Sequence, residues 1–160
     1  MGDLSEFPLK YRIFLRTYGW RKIDPVPWTA VTKPLSQSTV GLVSSAGFVL
    51  PGQEPFDMKI RGGDSSFREI PSASDPALLI ESHKSDAFDH SGIQADANLA
   101  FPLDRMTELQ KSGRIGGVAP RHLSCMGSIT APGRLIKDTA PAAAQIFVED
   151  QVDLALLIPV

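Results

Sequence analysis

The hydrophobic pattern is clearest at residues 153–160, where Leu154-Ala155-Leu156-Leu157-Ile158 runs without polar interruption. An unbroken apolar run of this length predicts a strand covered on both faces of a parallel sheet, since a half-exposed strand alternates. Residues 39–47 give a second such run, Thr39-Val40-Gly41-Leu42-Val43-Ser44-Ser45-Ala46-Gly47, ending in a small-residue turn. Residues 77–82 read as another strand that delivers His83, and residues 115–119 as a weaker fourth. Helical spacing links Phe7, Tyr11, Phe14, Leu15 and Tyr18, with Ser5 as cap, Pro8 in the first turn and Gly19 as stop. Pro102 opens a short helix with Leu103, Met106 and Leu109 on one face, ended by Gly113. Asp138 or Thr139 caps a final helix containing Pro141, three alanines, Ile146, Phe147 and Val148. That helix feeds residues 153–160, a β-α-β crossover expected to be right-handed.

These elements predict an α/β fold: a doubly wound (flavodoxin- or Rossmann-like), mostly parallel sheet in three layers, lacking its C-terminal part. Residues 1–30 read as an N-terminal helix and an extended connector, because Asp24-Pro25-Val26-Pro27-Trp28 cannot be helix. Residues 31–160 read as the α/β domain. Loss of a closing helix is expected to bare an apolar flank.

Composition narrows the class. At 160 residues and 42% apolar, the chain can bury one substantial core. A net charge of −2 gives no global case for nucleic acid or an anionic membrane. No apolar run approaches the ~20 residues needed to span a bilayer, and the first residues do not resemble a signal peptide. Cys125 is the sole cysteine, so no internal disulfide forms, and a cytoplasmic location is expected. The one basic stretch, Lys10, Arg12, Arg16, Arg21 and Lys22, reads as a solvated helix face backed by aromatics in preference to an RNA- or phosphate-binding arm.

Candidate chemistry lies where strands end. Ser44, Ser45 and Gly47 form a small turn that a ligand can approach. In Gly63-Asp64-Ser65-Ser66-Phe67-Arg68-Glu69-Ile70-Pro71, hydroxyls and a guanidinium fork can grip a carboxylate or amine. The same residues suit an Asx/Ser turn locked by arginine. His83, Asp86, Asp89, His90, Asp96 and Asn98 crowd one loop and suit acid–base or metal chemistry, although their spacing matches no metal signature. Cys125 reads as a packing residue, and Arg121 and His122 as surface residues.

The run 63–71, followed by Ser82-His83, Asp89-His90, Asp96-Ala97-Asn98, Phe101-Pro102-Leu103-Asp104-Arg105 and Ile115-Gly116, resembles the selenoprotein B family. That family is the catalytic component of the glycine, sarcosine, betaine and D-proline reductases. The resemblance covers roughly residues 31–160, is strongest over 63–117, and fits a divergent branch, so a substrate is not carried across. It implies a selenocysteine or cysteine nucleophile that cleaves a carbon–nitrogen bond in a small amine or amino-acid-like substrate, with a disulfide as acceptor and no bound cofactor. It also implies a thioredoxin-type electron donor and a second reductase subunit. In the family the nucleophile follows an apolar strand like residues 153–160. The position after Val160 is therefore expected to be a selenocysteine codon, UGA, read as a stop, leaving this chain inactive by itself. His83 is the expected general acid. Ser44, Ser45, Asp64, Ser66, Arg68, Asp96 and Asn98 are the expected substrate-binding residues, with Ser66 and Arg68 as anchors, and no metal ligand is expected. Two other readings stay open: a non-catalytic paralogue that binds a small ligand or partner, and a metal-dependent hydrolase built on His83, Asp86, Asp89 and His90.

Overall fold

The computed structural model describes residues 4–19, 21–83, 85 and 90–160. The chain divides into two compact units, Met1–Ala30 and Val31–Val160. In the first unit a 3-10 turn, Leu4–Glu6, precedes helix α1, Leu9–Thr17. Pro8, not Ser5, occupies the N-cap. Proline has no N–H to leave unsatisfied there, and Ser5 falls inside the preceding turn. The rings of Phe14 and Tyr18 pack 5.2 Å apart along the helix. No described residue of this unit is buried.

The second unit is α/β, built on a mixed, mostly parallel five-stranded sheet. Its strands are β1 (Thr39–Ser44), β3 (Phe67–Pro71), β5 (Gly117–Val118), β6 (Arg121–Cys125) and β7 (Leu154–Ile158). Strand β1 pairs in parallel with β5, β6 and β7, and β3 runs antiparallel to β6. Strands β2 (Phe48–Val49) and β4 (Ile80–Glu81) form a separate antiparallel pair. The helices are α2 (His90–Ala95), α3 (Leu103–Lys111) and α4 (Ala140–Glu149).

Helices pack on both faces of β1. Val40 and Leu42 join Phe101, Leu103, Met106 and Ile115 in the main core, so α3 covers that face. Gly41 points the other way, and a Cβ there would meet the Phe147 ring of α4 at 2.9 Å. Glycine lets this aromatic ring lie directly on the strand, where a Cβ would push the tip of the ring aside. Asp153 fixes the start of β7: its carboxylate accepts from the Thr39 amide at 2.8 Å and pairs with Lys33 at 2.7 Å. The hydrogen bond from Lys33, then that from Thr39, holds this carboxyl below the usual aspartate range.

The expected strand over residues 77–82 is not part of this sheet. Asp75 accepts from the Ala77 amide and Pro76 opens a 3-10 turn, so only Ile80 and Glu81 remain extended. Leu78 and Ile80 stay exposed, which shows that the apolar run is not buried on both faces. The final helix is not capped by Asp138 or Thr139 either. A π-helical turn, Leu135–Thr139, runs directly into α4, and Thr139 makes no side-chain cap.

Residues 115–119 begin a longer, bulged strand. Thr39 and Val40 face Gly117 and Val118, whereas Val43 and Ser44 face Leu123 and Ser124. Two β1 residues, 41 and 42, are therefore opposed by four, 119–122. A bulge bends its strand and raises the local twist, in keeping with the half-barrel curl of the sheet. It also removes the carbonyl that the Leu42 amide would meet, and the Nδ1 of His122 takes that bond at 3.0 Å. His122 is thus fully buried rather than at the surface, its ring edge-on to Phe101.

Burial pushes the His122 pKa down to about 4, a shift that the charge of Asp150 only partly opposes. The unfolded chain binds a proton near pH 6.5 and the folded chain does not, so acid favours unfolding between those values. The neutral ring's contribution is complete above pH 6.5 and is lost as pH falls toward 4, at most about 3 kcal/mol. Urea titrations between pH 7 and 4 are expected to show this slope, and His122→Gln to flatten it. An unchanged slope in the variant would show that other groups carry the acid sensitivity.

Candidate active site

The parallel strands β1, β6 and β7 all point their carboxyl ends to one edge of the sheet, where open α/β sheets place their chemistry. Backbone bonds draw the three ends together. The Ser45 amide donates to Ile158 O at 3.0 Å, and the Gly127 amide donates to Ser45 O at 2.9 Å. The Ser45 hydroxyl accepts from the Val160 amide at 2.9 Å.

His83 arrives from outside the main sheet. Gly47, at φ +69°, donates its amide to Cys125 O and accepts from the Ser82 amide. A Cβ on Gly47 would stand 2.7 Å from Ser82 O, so glycine is required twice over, for conformation and for space. The Ser82 hydroxyl accepts from the Phe56 amide, which locks the other side of this junction. The next residue, His83, lies against Gly127: a Cβ there would sit 2.9 Å from His83 Nε2, 3.3 Å from Ser45 O and 3.4 Å from Val160 O. Ser45, His83, Gly127 and Val160 therefore converge on one small rim.

The Nδ1 of His83 accepts from the Ser85 amide at 3.0 Å, so in the neutral ring the proton is on Nε2, toward the rim. Burial lowers the His83 pKa from its ordinary value of 6.5, Glu81 opposes the shift and His90 adds to it. Glu81 itself bonds His90 Nδ1 and Gln94, while His90 Nε2 lies 2.7 Å from Ser85 O. Both ring nitrogens of His90 are thus engaged. Asp86 and Asp89 lie outside the described residues, and no cluster of three metal-ligating side chains occurs among the described ones.

Ser44 is fully buried beneath the rim. Its Oγ accepts from the Ala46 amide and its carbonyl accepts from Cys125 Sγ. Burial raises the Cys125 thiol pKa, which makes it a poor nucleophile.

The segment 63–71 forms a clamp before it becomes β3. Asp64 accepts from the Asp57 amide, the Ser66 amide and the Ser66 hydroxyl. Burial raises its pKa, but these bonds, with the Arg68 charge, outweigh it and leave a net lowering. Arg68 donates to Glu54 O, Pro55 O, Phe67 O and Ser66 Oγ, and its guanidinium stacks over Phe56. These contacts match the arginine-locked turn. Behind it, Gly62 and Gly63 at positive φ admit the Ala131 methyl and the backbone of Ile129, bringing the clamp beside the Gly127 loop. Asp96 and Asn98 lie elsewhere. They cap the approach to α3 through Asn98 Nδ2 to Asp96 and Asp104, beside a cleft of about 460 Å³.

A three-ended parallel edge carrying a histidine and a small-residue floor is the place where open α/β sheets bind their ligands. Residues 8–159 match the family model of the glycine/sarcosine/betaine reductase selenoprotein B, and the chain belongs to that family. It is 35% identical over 136 residues to the D-proline reductase subunit gamma of Acetoanaerobium sticklandii, covering 84% of this chain and 54% of that protein. The chain thus spans about half the length of this curated relative. No solved structure matches.

Two substitutions separate structural from substrate-facing roles. Arg68→Lys keeps the charge but loses the fork. If the clamp is structural, equilibrium unfolding should show a loss of about 1–2 kcal/mol without any ligand, whereas unchanged stability would return Arg68 to a substrate-binding role. Gly127→Ala is expected to drive the His83 ring outward. By NMR titration its pKa should then move back up toward 6.5, and a pKa that stays put would show that the ring does not rest on Gly127.

Proposed function

We propose that this chain is the scaffold half of a selenoprotein B-type reductase, which cleaves a carbon–nitrogen bond in a small amine or amino-acid-like substrate. The observation that carries the reading is the position of His83 Nε2 against Gly127, beside Ser45 and Val160, in a chain of this family. In this reading the residue after Val160 is selenocysteine, or cysteine, and it attacks the substrate carbon as an anion. The carbon–nitrogen pair leaves with the amine, which takes a proton from the His83 imidazolium. A thiol then attacks the selenium or sulfur of the adduct, the carbon leaves with the bonding pair and takes a proton, and a thioredoxin-type donor reduces the resulting selenenyl sulfide or disulfide. Ser45 positions the nucleophile-bearing segment, and the Asp64–Ser66–Arg68 clamp shapes the neighbouring wall. The relative is named as a subunit, which supports a multi-subunit assembly for this reading.

Reading the transcript beyond the codon for Val160 tests the nucleophile: a frame without selenocysteine or cysteine codons would sink the proposal. In a protein carrying the nucleophile, His83→Gln is expected to lower kcat by about 10²–10⁴-fold. Because burial holds the His83 pKa below 6.5, wild-type kcat should decline as pH rises through that lowered pKa, at pH values below 6.5, and the variant should lose this limb. A limb that persists in the variant would assign the proton to another group.

A further inference from the structure

Strand β6 buries two polar side chains that find no partner in the chain. His122 and Ser124 are fully buried and two residues apart, so they share one face of the strand. Leu123 and Cys125, on the other face, line an apolar pocket against α4. Neither His122 Nε2 nor Ser124 Oγ has a hydrogen-bond partner among the described residues.

The orphan on the ring is a donor. His122 Nδ1 accepts from the Leu42 amide, so the proton of the neutral ring is on Nε2. Ser44 adds a third polar group to the patch. It faces Ser124 across the parallel β1–β6 pair, so both side chains lie on the same side of the sheet, and it too is fully buried. Its Oγ accepts from the Ala46 amide, which leaves the hydroxyl proton to donate. All three groups adjoin the bulge, where four residues of one strand oppose two of the other and the ladder is disrupted. Buried polar atoms are nearly always hydrogen-bonded, and an orphan keeps the full cost of having left water. One obligate donor and two hydroxyls in a single patch have complementary needs that one small molecule with two protons and two lone pairs can meet.

We propose that one ordered water sits between His122 Nε2, Ser124 Oγ and Ser44 Oγ as a permanent part of the β1–β6 junction. It accepts from the imidazole and from Ser44 and donates to Ser124. Three bonds are the usual complement of a buried water. A water bonded at about 2.8 Å to each partner bridges atoms up to about 5.6 Å apart, within reach of side chains at successive positions on one strand face. The water fastens β1 to β6 immediately below the rim, because Ser44 precedes Ser45 and Ser124 precedes Cys125. Its place depends on the sheet alone and not on what the rim binds.

The test uses the full chain, in a high-resolution crystal structure and in urea unfolding of Ser124→Ala. Density is expected for a water within about 3.2 Å of His122 Nε2 and of at least one of the two serine hydroxyls. Ser124→Ala is expected to lower the folding equilibrium constant by about fivefold, because the water loses a partner. In a dry site the same variant removes an orphan hydroxyl and leaves stability unchanged or raised. That result overturns the proposal. So does a wild-type structure with no water at this position, or one in which the ring bonds a serine directly.

Discussion

Every parallel pair in the sheet includes β1, and the architecture follows from what that strand must accommodate. One edge is matched residue by residue by β7. The other meets a strand with two residues too many, and the imidazole of His122 fills the gap at Leu42. On its faces, Gly41 gives way to Phe147 while Val40 and Leu42 pack under α3. A strand so fully engaged cannot move without breaking hydrogen bonds on both sides. The rim inherits its rigidity from this: Ser45 is the continuation of β1, and its backbone and hydroxyl reach both β7 and the Gly127 loop.

Around that fixed centre, polar groups do mostly structural work. Arg121 binds Asp150 through two nitrogens and also reaches Glu149 and Glu69, tying β6 to α4 and β3. Arg68 holds the 54–56 loop against β3 in the same manner. Guanidinium groups suit this task because a planar fork presents five donors in fixed directions, whereas an ammonium offers three on a flexible stem.

Strands β1 and β7 were legible as strands because continuous apolar runs have few other uses, but the cover expected on both faces of β7 is not there: Leu156 and Leu157 are exposed and no residue of that strand is fully buried. Helices α3 and α4 were legible from spacing and from Pro102 and Gly113. Strand β6 was not. Its sequence, Arg-His-Leu-Ser-Cys, reads as a polar loop, and only the bulge explains why a histidine and a serine are buried there. Residues 77–82 misled in the opposite sense, because an apolar run does not reveal whether anything covers it. At the site, His83 and Ser45 could be named from their places after strands. Gly127 could not, since its role is to be small beside an atom more than 40 residues earlier in the chain.

The histidine at the rim rides on the β2–β4 pair and not on the five-stranded sheet. Its link to the sheet is essentially one glycine, Gly47, with the Ser82 junction behind it. The scaffold and the titrating group are thus separate parts joined at a hinge point. Insertions or deletions between β3 and β4 can re-aim the imidazole while the core keeps its packing. The width of the rim is thereby set by the length of a surface segment, with no substitution in the interior.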